Sequence, residues 1–256
     1  MRVAVCCKGV PVDLTLESVK IVNGDARYEN TDIYINEFDA YALEAALFLE
    51  KTYKIETVAL TLGPLRAQEV LYIAIAKGIN RVLRIDGETC RPELIASGLA
   101  PALKEIEPQL ILVGVQSEDW MGGEVGIYLA QALNMAVAYA VIEISELSDT
   151  HVRIKKEIGG GRNAEVILKL PAVLCVQSGI QPLRYLSMMK RKKARDNPIK
   201  LWGKLDLENA RQIVSGMMSY EFKEASLPPK EGHAEMITGD RLEKASKLLE
   251  IMGKAI

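Results

Sequence analysis

Residues 110–130 constrain this 256-residue chain more than any other stretch. Leu110, Ile111, Leu112 and Val113 form an unbroken apolar run, long enough for a strand buried on both faces. Gly114 breaks the run and a polar loop follows over residues 116–123. Val125, Tyr128, Leu129 and Ala132 then recur at helical spacing. Strand, loop and helix in that order, with Gly122 and Gly123 at the helix start, make a turn whose backbone N–H groups converge at the positive end of a helix dipole. An anion bound there needs little else. The same pattern is also an ordinary β-to-α connection, and a glycine loop alone specifies no ligand.

The rest of the first half repeats this alternation. Residues 3–7 form a short apolar strand ended by Gly9-Val10-Pro11. Residues 14–33 are polar and irregular, with a hairpin expected about Asn23-Gly24, a strong turn pair. Asn36 is placed to cap a helix whose apolar face is Tyr41, Ala42, Ala45, Ala46 and Leu49, and Asp39 puts a carboxylate in its first turn. A strand over residues 57–62 closes at Gly63-Pro64, and a helix marked by Val70, Leu71, Ala74 and Ile75 ends at Gly78. Residues 81–85 read as a strand, and residues 92–106 as a helix that starts at a proline and kinks at Pro101.

This grammar predicts an α/β fold: an open, mainly parallel twisted sheet with helices on both faces. Ligands of such sheets bind beyond the carboxyl ends of the strands. The loops at residues 8–11, 63–66 and 116–123 leave those ends, and the helix start at Asn36 joins them. From residue 138 the pattern changes. Residues 138–144, 152–158, 164–168 and 172–177 read as strands, Gly159-Gly160-Gly161 as a turn, and together they predict antiparallel strands added at the sheet edge. Residues 209–218 read as a helix and residues 219–233, with Pro228-Pro229, as an extended arm. Residues 240–252 form an amphipathic helix with Leu242, Ala245, Leu248, Leu249 and Met252 on one face. Such a helix is marginal alone in water, so it is expected to dock.

The chemistry-bearing residues are sparse. The only histidines, His151 and His233, lie in strand and arm contexts, and no serine-hydrolase, Walker or Gly-x-Gly-x-x-Gly motif appears. Glu118 and Asp119 are adjacent carboxylates on a loop and read as solvated. No catalytic residue is therefore expected. Cys6, Cys7, Cys90 and Cys175 form no Cys-x-x-Cys pair, so no metal site is expected either. Cys6 and Cys7 read as core thiols of a reducing, cytoplasmic compartment, with no leader or membrane span. A net charge of −2 and only 3 Phe and 2 Trp argue against nucleic acid. The one basic run is Lys190, Arg191, Lys192, Lys193 and Arg195, preceded by Met188 and Met189. It reads as a solvated loop, a phosphate contact or a docking surface with adaptable apolar contact.

In sequence these pieces resemble the β subunit of the electron transfer flavoproteins over nearly the whole length. Val5-Cys-Cys-Lys-Gly-Val10 is similar to the family's first strand and turn. Asn36-Glu-Phe-Asp-Ala-Tyr-Ala-Leu-Glu-Ala-Ala46 is similar to its Asn-Pro-[Phe/Tyr]-Asp-x-Tyr-Ala-Leu-Glu-x-Ala segment. Gly63-Pro64, Ala76-Lys-Gly78, Gly114-Val-Gln-Ser-x-Asp119 with Gly123-Glu-Val-Gly126, Leu170-Pro-Ala-Val173 and Arg184-Tyr185 come in the family's order.

The resemblance implies a heterodimer with an α subunit that holds the redox-active FAD near the interface. It implies AMP, or a second FAD in bifurcating members, in the β subunit. The contacts it carries over are Cys6, Asn36, Glu37, Phe38, Asp39, Leu62, Val115, Gln116, Ser117, Glu118, Asp119, Trp120, Met121, Gly122, Gly123, Glu124, Val125 and Gly126. It further implies a recognition loop at about residues 184–199. Met188 stands there at the place of the family's anchor leucine, and Lys190, Arg191, Lys192 and Lys193 form its basic flank, facing a flavin dehydrogenase such as an acyl-CoA dehydrogenase. A membrane-bound quinone reductase is one acceptor of such carriers. The implied division is a nucleotide-binding domain over residues 1–200 and a C-terminal arm and helix over residues 201–256 that packs on the α subunit. Three departures stand out. Glu37 replaces the family's proline, Trp120-Met-Gly-Gly123 replaces acidic loop residues, and the turn from Gly159 to Glu165 is one residue longer, so the interdomain glutamate has no assigned place. A stand-alone adenine-nucleotide sensor, and a bifurcating complex that oxidises NADH at a β-subunit FAD, are the alternatives.

Overall fold

The structure is a computed structural model that describes residues 1–13, 19–22, 25–28, 31–206, 208, 210, 226–227 and 236–254. Apart from residues 210 and 226–227, the expected helix at 209–218 and arm at 219–233, with His233, lie outside the described residues. The chain divides into two compact units, Met1–Lys20 with Tyr28–Phe222, and Ile21–Arg27 with Lys223–Ile256.

The first unit is built on one nine-stranded sheet, with a small two-stranded antiparallel sheet besides. In chain order its strands and helices are β1 (Arg2–Cys6), β2 (Gly9–Pro11), β5 (Ile33–Ile35), α1 (Glu37–Tyr53), β6 (Glu56–Leu62), α2 (Gln68–Lys77), β7 (Arg81–Asp86), α3 (Pro92–Ile106), β8 (Leu110–Gly114), α4 (Val125–Leu133), β9 (Ala136–Leu147), β10 (His151–Glu157), β11 (Asn163–Lys169), β12 (Ala172–Val176), α5 (Met188–Ala194) and β13 (Lys200–Lys204). The sheet order is β11-β10-β9-β12-β8-β1-β6-β7-β13. All neighbours from β9 to β13 run parallel, and β10 and β11 extend the sheet antiparallel. The α/β reading is borne out.

The chain moves outward from β1 to β6 and β7, then returns across β1 to β8. This reversal is the topological switch point at which open sheets bind ligands. The helices fill both faces. One core layer packs Leu43, Leu49, Leu71 and Ile73 of α1 and α2 against Val3, Val5 and Ala59, and the other packs Leu99, Leu103 and Leu129 of α3 and α4 against Ala4, Val58 and Leu60.

Two strand readings are corrected. β12 lies inside the sheet, hydrogen-bonded in parallel to β8 and β9, rather than at an antiparallel edge. Every residue of Ala-Val-Leu-Cys-Val is buried, the pattern of a strand covered on both faces. β9 is likewise parallel to β12 before it pairs with β10. β13, a parallel edge strand against β7, has no strand signal in the sequence because it is short, contains Gly203 and carries lysine at both ends.

β3 (Val19–Val22) and β4 (Asp25–Tyr28) pair as a two-stranded sheet; Val19, Lys20 and Tyr28 belong to the first unit and the other described residues of the pair to the second. The turn residues Asn23 and Gly24 lie outside the described residues. The terminal helix α6 (Arg241–Lys254) starts with a reciprocal cap. Asp240 Oδ1 accepts from the N–H groups of Leu242 and Glu243 at 2.8 and 2.9 Å, and Glu243 Oε2 accepts from Asp240 N–H at 2.9 Å. Leu242, Leu248, Leu249 and Met252 are exposed.

Candidate functional site

A cavity of about 310 Å³ opens at the switch point, in the size range of small-molecule sites. The segments after β1, β6, β7 and β8 line it together with the start of α1 and the N-terminal turns of α3 and α4. Of the residues singled out from sequence, Cys6, Asn36, Asp39, Leu62, Val115, Gln116, Ser117, Trp120, Gly122, Gly123, Glu124 and Val125 line it. Glu37, Phe38, Glu118, Asp119, Met121 and Gly126 do not.

The outer residues still belong to the same arrangement, because the loop after β8 is tied to the start of α1. Asn36 precedes the helix, yet its side chain caps nothing. It donates from Nδ2 to Gln116 O at 2.9 Å and accepts at Oδ1 from Glu118 N–H at 3.1 Å. The capping reading is corrected accordingly: a distant loop takes the amide. Glu118 in turn accepts from Glu37 N–H at 3.2 Å, so the loop caps the helix. Asp39 lies in the first turn of α1, as expected, and has a further role. Its carboxylate accepts from Lys8 N–H at 2.8 Å and Gly114 N–H at 2.7 Å, and so clamps the ends of β1 and β8 together. Lys8 Nζ completes the tie, donating to Asp119 at 2.6 Å and Ser117 Oγ at 3.1 Å. Asp119 is therefore an ion-pair partner and not a solvated loop carboxylate.

Burial pushes the Asp39 carboxyl up to about 6, against the pull of the two backbone N–H groups, Asn36 and the Lys8 charge. Burial also pushes Cys6, Cys7 and Cys175 up, Cys175 to about 12. These thiols are neutral core groups, as the sequence suggested for Cys6 and Cys7, and none of the four cysteines is disulfide-bonded.

The glycines at the mouth have distinct reasons. A Cβ at Gly114 would lie 2.7 Å from Phe38 Cβ and 3.0 Å from Asp39 N, so the clamp requires glycine there. Gly123 has φ +68°, and a Cβ would come within 2.5 Å of Tyr139 Oη and 3.0 Å of Val115 O. Tyr139 reaches this point from a register shift in β9, where Ala140 also takes a left-handed φ of 58°. Gly122 has open space around it.

Helix α4 begins with no side-chain cap. Among the described residues, the N–H groups of Gly122, Gly123, Glu124 and Val125 have no protein acceptor. They stand at the positive end of the helix and beside the cavity, which is an anion-binding arrangement. The adjoining wall is apolar, formed by Cys6, Leu62, Ile95, Leu99 and Val113. Lys8, Gly63, Pro64, Arg66, Thr89, Pro92, Ile95 and Leu99 line the cavity but were not among the residues selected from sequence. The rule that ligands sit at strand ends marked the first four, and applying it to the loop after β7 would have marked Thr89 and Pro92.

The expected recognition loop is helical where it carries the basic run. Ser187 Oγ accepts from Lys190 N–H at 3.4 Å and opens α5, and the basic residues in its last turn suit the helix dipole. The charges divide in two. Arg191 and Arg195 pair with Glu69 of α2 at 3.2 and 2.8 Å, while Lys190, Lys192 and Lys193 make no ion pair among the described residues. Met188 is 73% exposed. No group of potential metal ligands occurs among the described residues. No described helix is long and apolar enough to cross a membrane.

The switch-point cavity and its uncapped helix define a Rossmann-like α/β protein. Residues 29–204 match the family model described as the electron transfer flavoprotein domain. The chain belongs to that family, on its β-subunit side. It is 31% identical over 226 residues, 86% of each chain, to the electron transfer flavoprotein subunit beta of Methylophilus methylotrophus. The corresponding subunit of Bacillus subtilis is 25% identical over 242 residues, 93% of each chain. The caffeyl-CoA reductase-Etf complex subunit CarD of Acetobacterium woodii is 29% identical over 247 residues, 93% of this chain and 92% of that protein.

Proposed function

We propose that this chain is the β subunit of a heterodimer with an electron transfer flavoprotein α subunit, and that its cavity holds an adenine nucleotide. The complex carries electrons between a flavin dehydrogenase of the acyl-CoA dehydrogenase type and a downstream acceptor, such as a membrane-bound quinone reductase. FAD held with the α subunit supplies the redox chemistry. The single observation that carries the nucleotide reading is the cluster of unpartnered N–H groups from Gly122 to Val125 beside an apolar wall. The N–H groups suit a phosphate and the wall suits a purine ring. Asn36, Asp39 and Lys8 hold the loop in place and touch the ligand less than they shape it. The chain supplies no hydrolytic or transfer chemistry of its own. Residues 1–200 form the nucleotide-binding part, residues 201–256 reach the α subunit, and Met188 with Lys190, Lys192 and Lys193 of α5 meets the dehydrogenase.

A bifurcating complex with a second FAD here is the other reading. The open space at Gly122 and the absence of acidic side chains from Trp120 to Gly123 favour a larger ligand. The similarity to CarD, whose name places it in a complex with caffeyl-CoA reductase, supports an acyl-CoA oxidoreductase partner on either reading.

The test is to purify the co-expressed heterodimer, denature it and count flavins and AMP. One flavin with one AMP supports the simple carrier, and two flavins support bifurcation. Absence of any second adenine nucleotide sinks the proposed site. A chain that binds nucleotide as a monomer and ignores the α subunit would favour the stand-alone sensor.

A further inference from the structure

Arg184 stands where the chain approaches α5, and both of its backbone polar groups are held by charged side chains. Its N–H and its Nε donate to Glu44 of α1 at 3.2 and 2.6 Å. Its carbonyl accepts from Lys77 Nζ of α2 at 3.1 Å. Lys77 Nζ also donates to Glu44 at 2.5 Å, and the Glu44 and Lys77 side chains are only 3% and 8% exposed. A buried carboxylate between two cations is weak evidence of stability, because apolar groups of the same volume would hold two helices together as well. Its distinctive contribution is direction: the backbone at residue 184 has one position relative to α1 and α2.

The residues just beyond Arg184 give that direction a use. Tyr185 is 90% and Met189 83% exposed. Helix α5 has 7 residues, far fewer than an isolated helix needs. It persists because Glu69 holds Arg191 and Arg195, Arg191 lies 5.6 Å over the ring of Tyr34, and Glu44 fixes the approach. Two carboxylates on neighbouring helices therefore hold a short segment whose large apolar side chains find no place in this chain's own core.

We propose that Glu44 is the positioning residue of the partner-docking segment, acting through Arg184 and Lys77 to present Tyr185, Met188 and Met189 in a fixed arrangement. The partner surface that fits is an apolar pocket rimmed by acidic groups facing Lys190, Lys192 and Lys193. This rests on the docking reading above. Glu44 is buried and touches no partner; it removes ordering entropy that association would otherwise cost.

The test uses the heterodimer purified with its α subunit, reduced by a substrate-reduced acyl-CoA dehydrogenase at varied heterodimer concentration. Glu44→Gln leaves Lys77 without its counter-charge and strains the fold, so Arg184→Ala, which leaves Glu44 and Lys77 paired, is measured beside it. Glu44→Gln should raise KM about tenfold, and Arg184→Ala, which keeps both backbone bonds at residue 184, by a smaller factor, with kcat unchanged in both. Flavin spectrum, nucleotide content and the salt dependence set by the lysines should stay at wild-type values. If Met188→Ala raises KM but neither clamp variant does, the clamp is refuted and docking stands. If Met188→Ala is neutral, the docking reading fails and the clamp with it. A fall in kcat or loss of flavin in Arg184→Ala makes the cluster a general structural element and overturns the proposal.

Discussion

Asp39→Asn probes the clamp at the cavity most directly. The wild-type carboxyl rises from an ordinary value of 3.8 to about 6, chiefly through burial. The folded protein therefore binds the proton more tightly than the unfolded chain. The associated stability is fully present below about pH 4 and is lost as pH rises through about 6, a change on the order of 3 kcal/mol. Asparagine cannot ionise, so the variant lacks this slope. It also has one acceptor oxygen where Lys8 N–H and Gly114 N–H each need one, which leaves a buried N–H facing an amide NH₂ at a cost of about 1–3 kcal/mol at any pH. Near pH 4 the protonated wild type shares that limitation less severely and is the more stable protein. Near pH 7 the removed cost of a buried charge offsets the lost hydrogen bond. Urea unfolding of wild type and variant at pH 4, 5, 6 and 7, in the same complex, should show the variant gaining about 2.4 kcal/mol of that total relative to wild type across the series. A difference that is flat with pH, or that moves the other way, would refute the assignment of a raised carboxyl at Asp39.

Gly122→Ala and Gly123→Ala separate ligand contact from fold: the first meets open space in the protein and should lower nucleotide content alone, whereas the second should lower thermal stability as well, by about 1–3 kcal/mol. Equal stability of the two complexes would contradict the crowding at Tyr139. Met188→Ala should weaken transfer to the dehydrogenase by about 1–3 kcal/mol. Neutralising Lys190, Lys192 and Lys193 should slow association and flatten its salt dependence, and wild-type rates at low and high salt would place docking elsewhere. At pH 8, brief alkylation should label Cys90 and spare Cys6, Cys7 and Cys175, which are buried with raised thiols; mass spectrometry showing fast labelling of Cys175 would count against that burial.

The sequence by itself determined the alternation of strands and helices, because hydrophobic period and glycine punctuation are local. It also marked the loop before α4, since a strand that ends at glycine and a helix that starts after two glycines leave free N–H groups wherever they fold. Asn36 and Asp39 were legible as polar residues at a helix start, but their partners were not: Asp39 bonds Gly114, 75 positions away, and only the packing of α1 against β8 brings the two together. The order of strands was likewise a tertiary decision. The apolar run of β12 suits any strand covered on both faces, and its insertion between β8 and β9 depends on which edges remained unpaired. Helix α5 shows the same limit from the other side. Seven residues rich in lysine carry no helical period worth reading, and the segment stands where it does because Glu69, distant in the chain, holds Arg191 and Arg195 against α2. Local patterns fix what each segment can become; charge pairs and strand neighbours across the chain fix where it stands and what it faces.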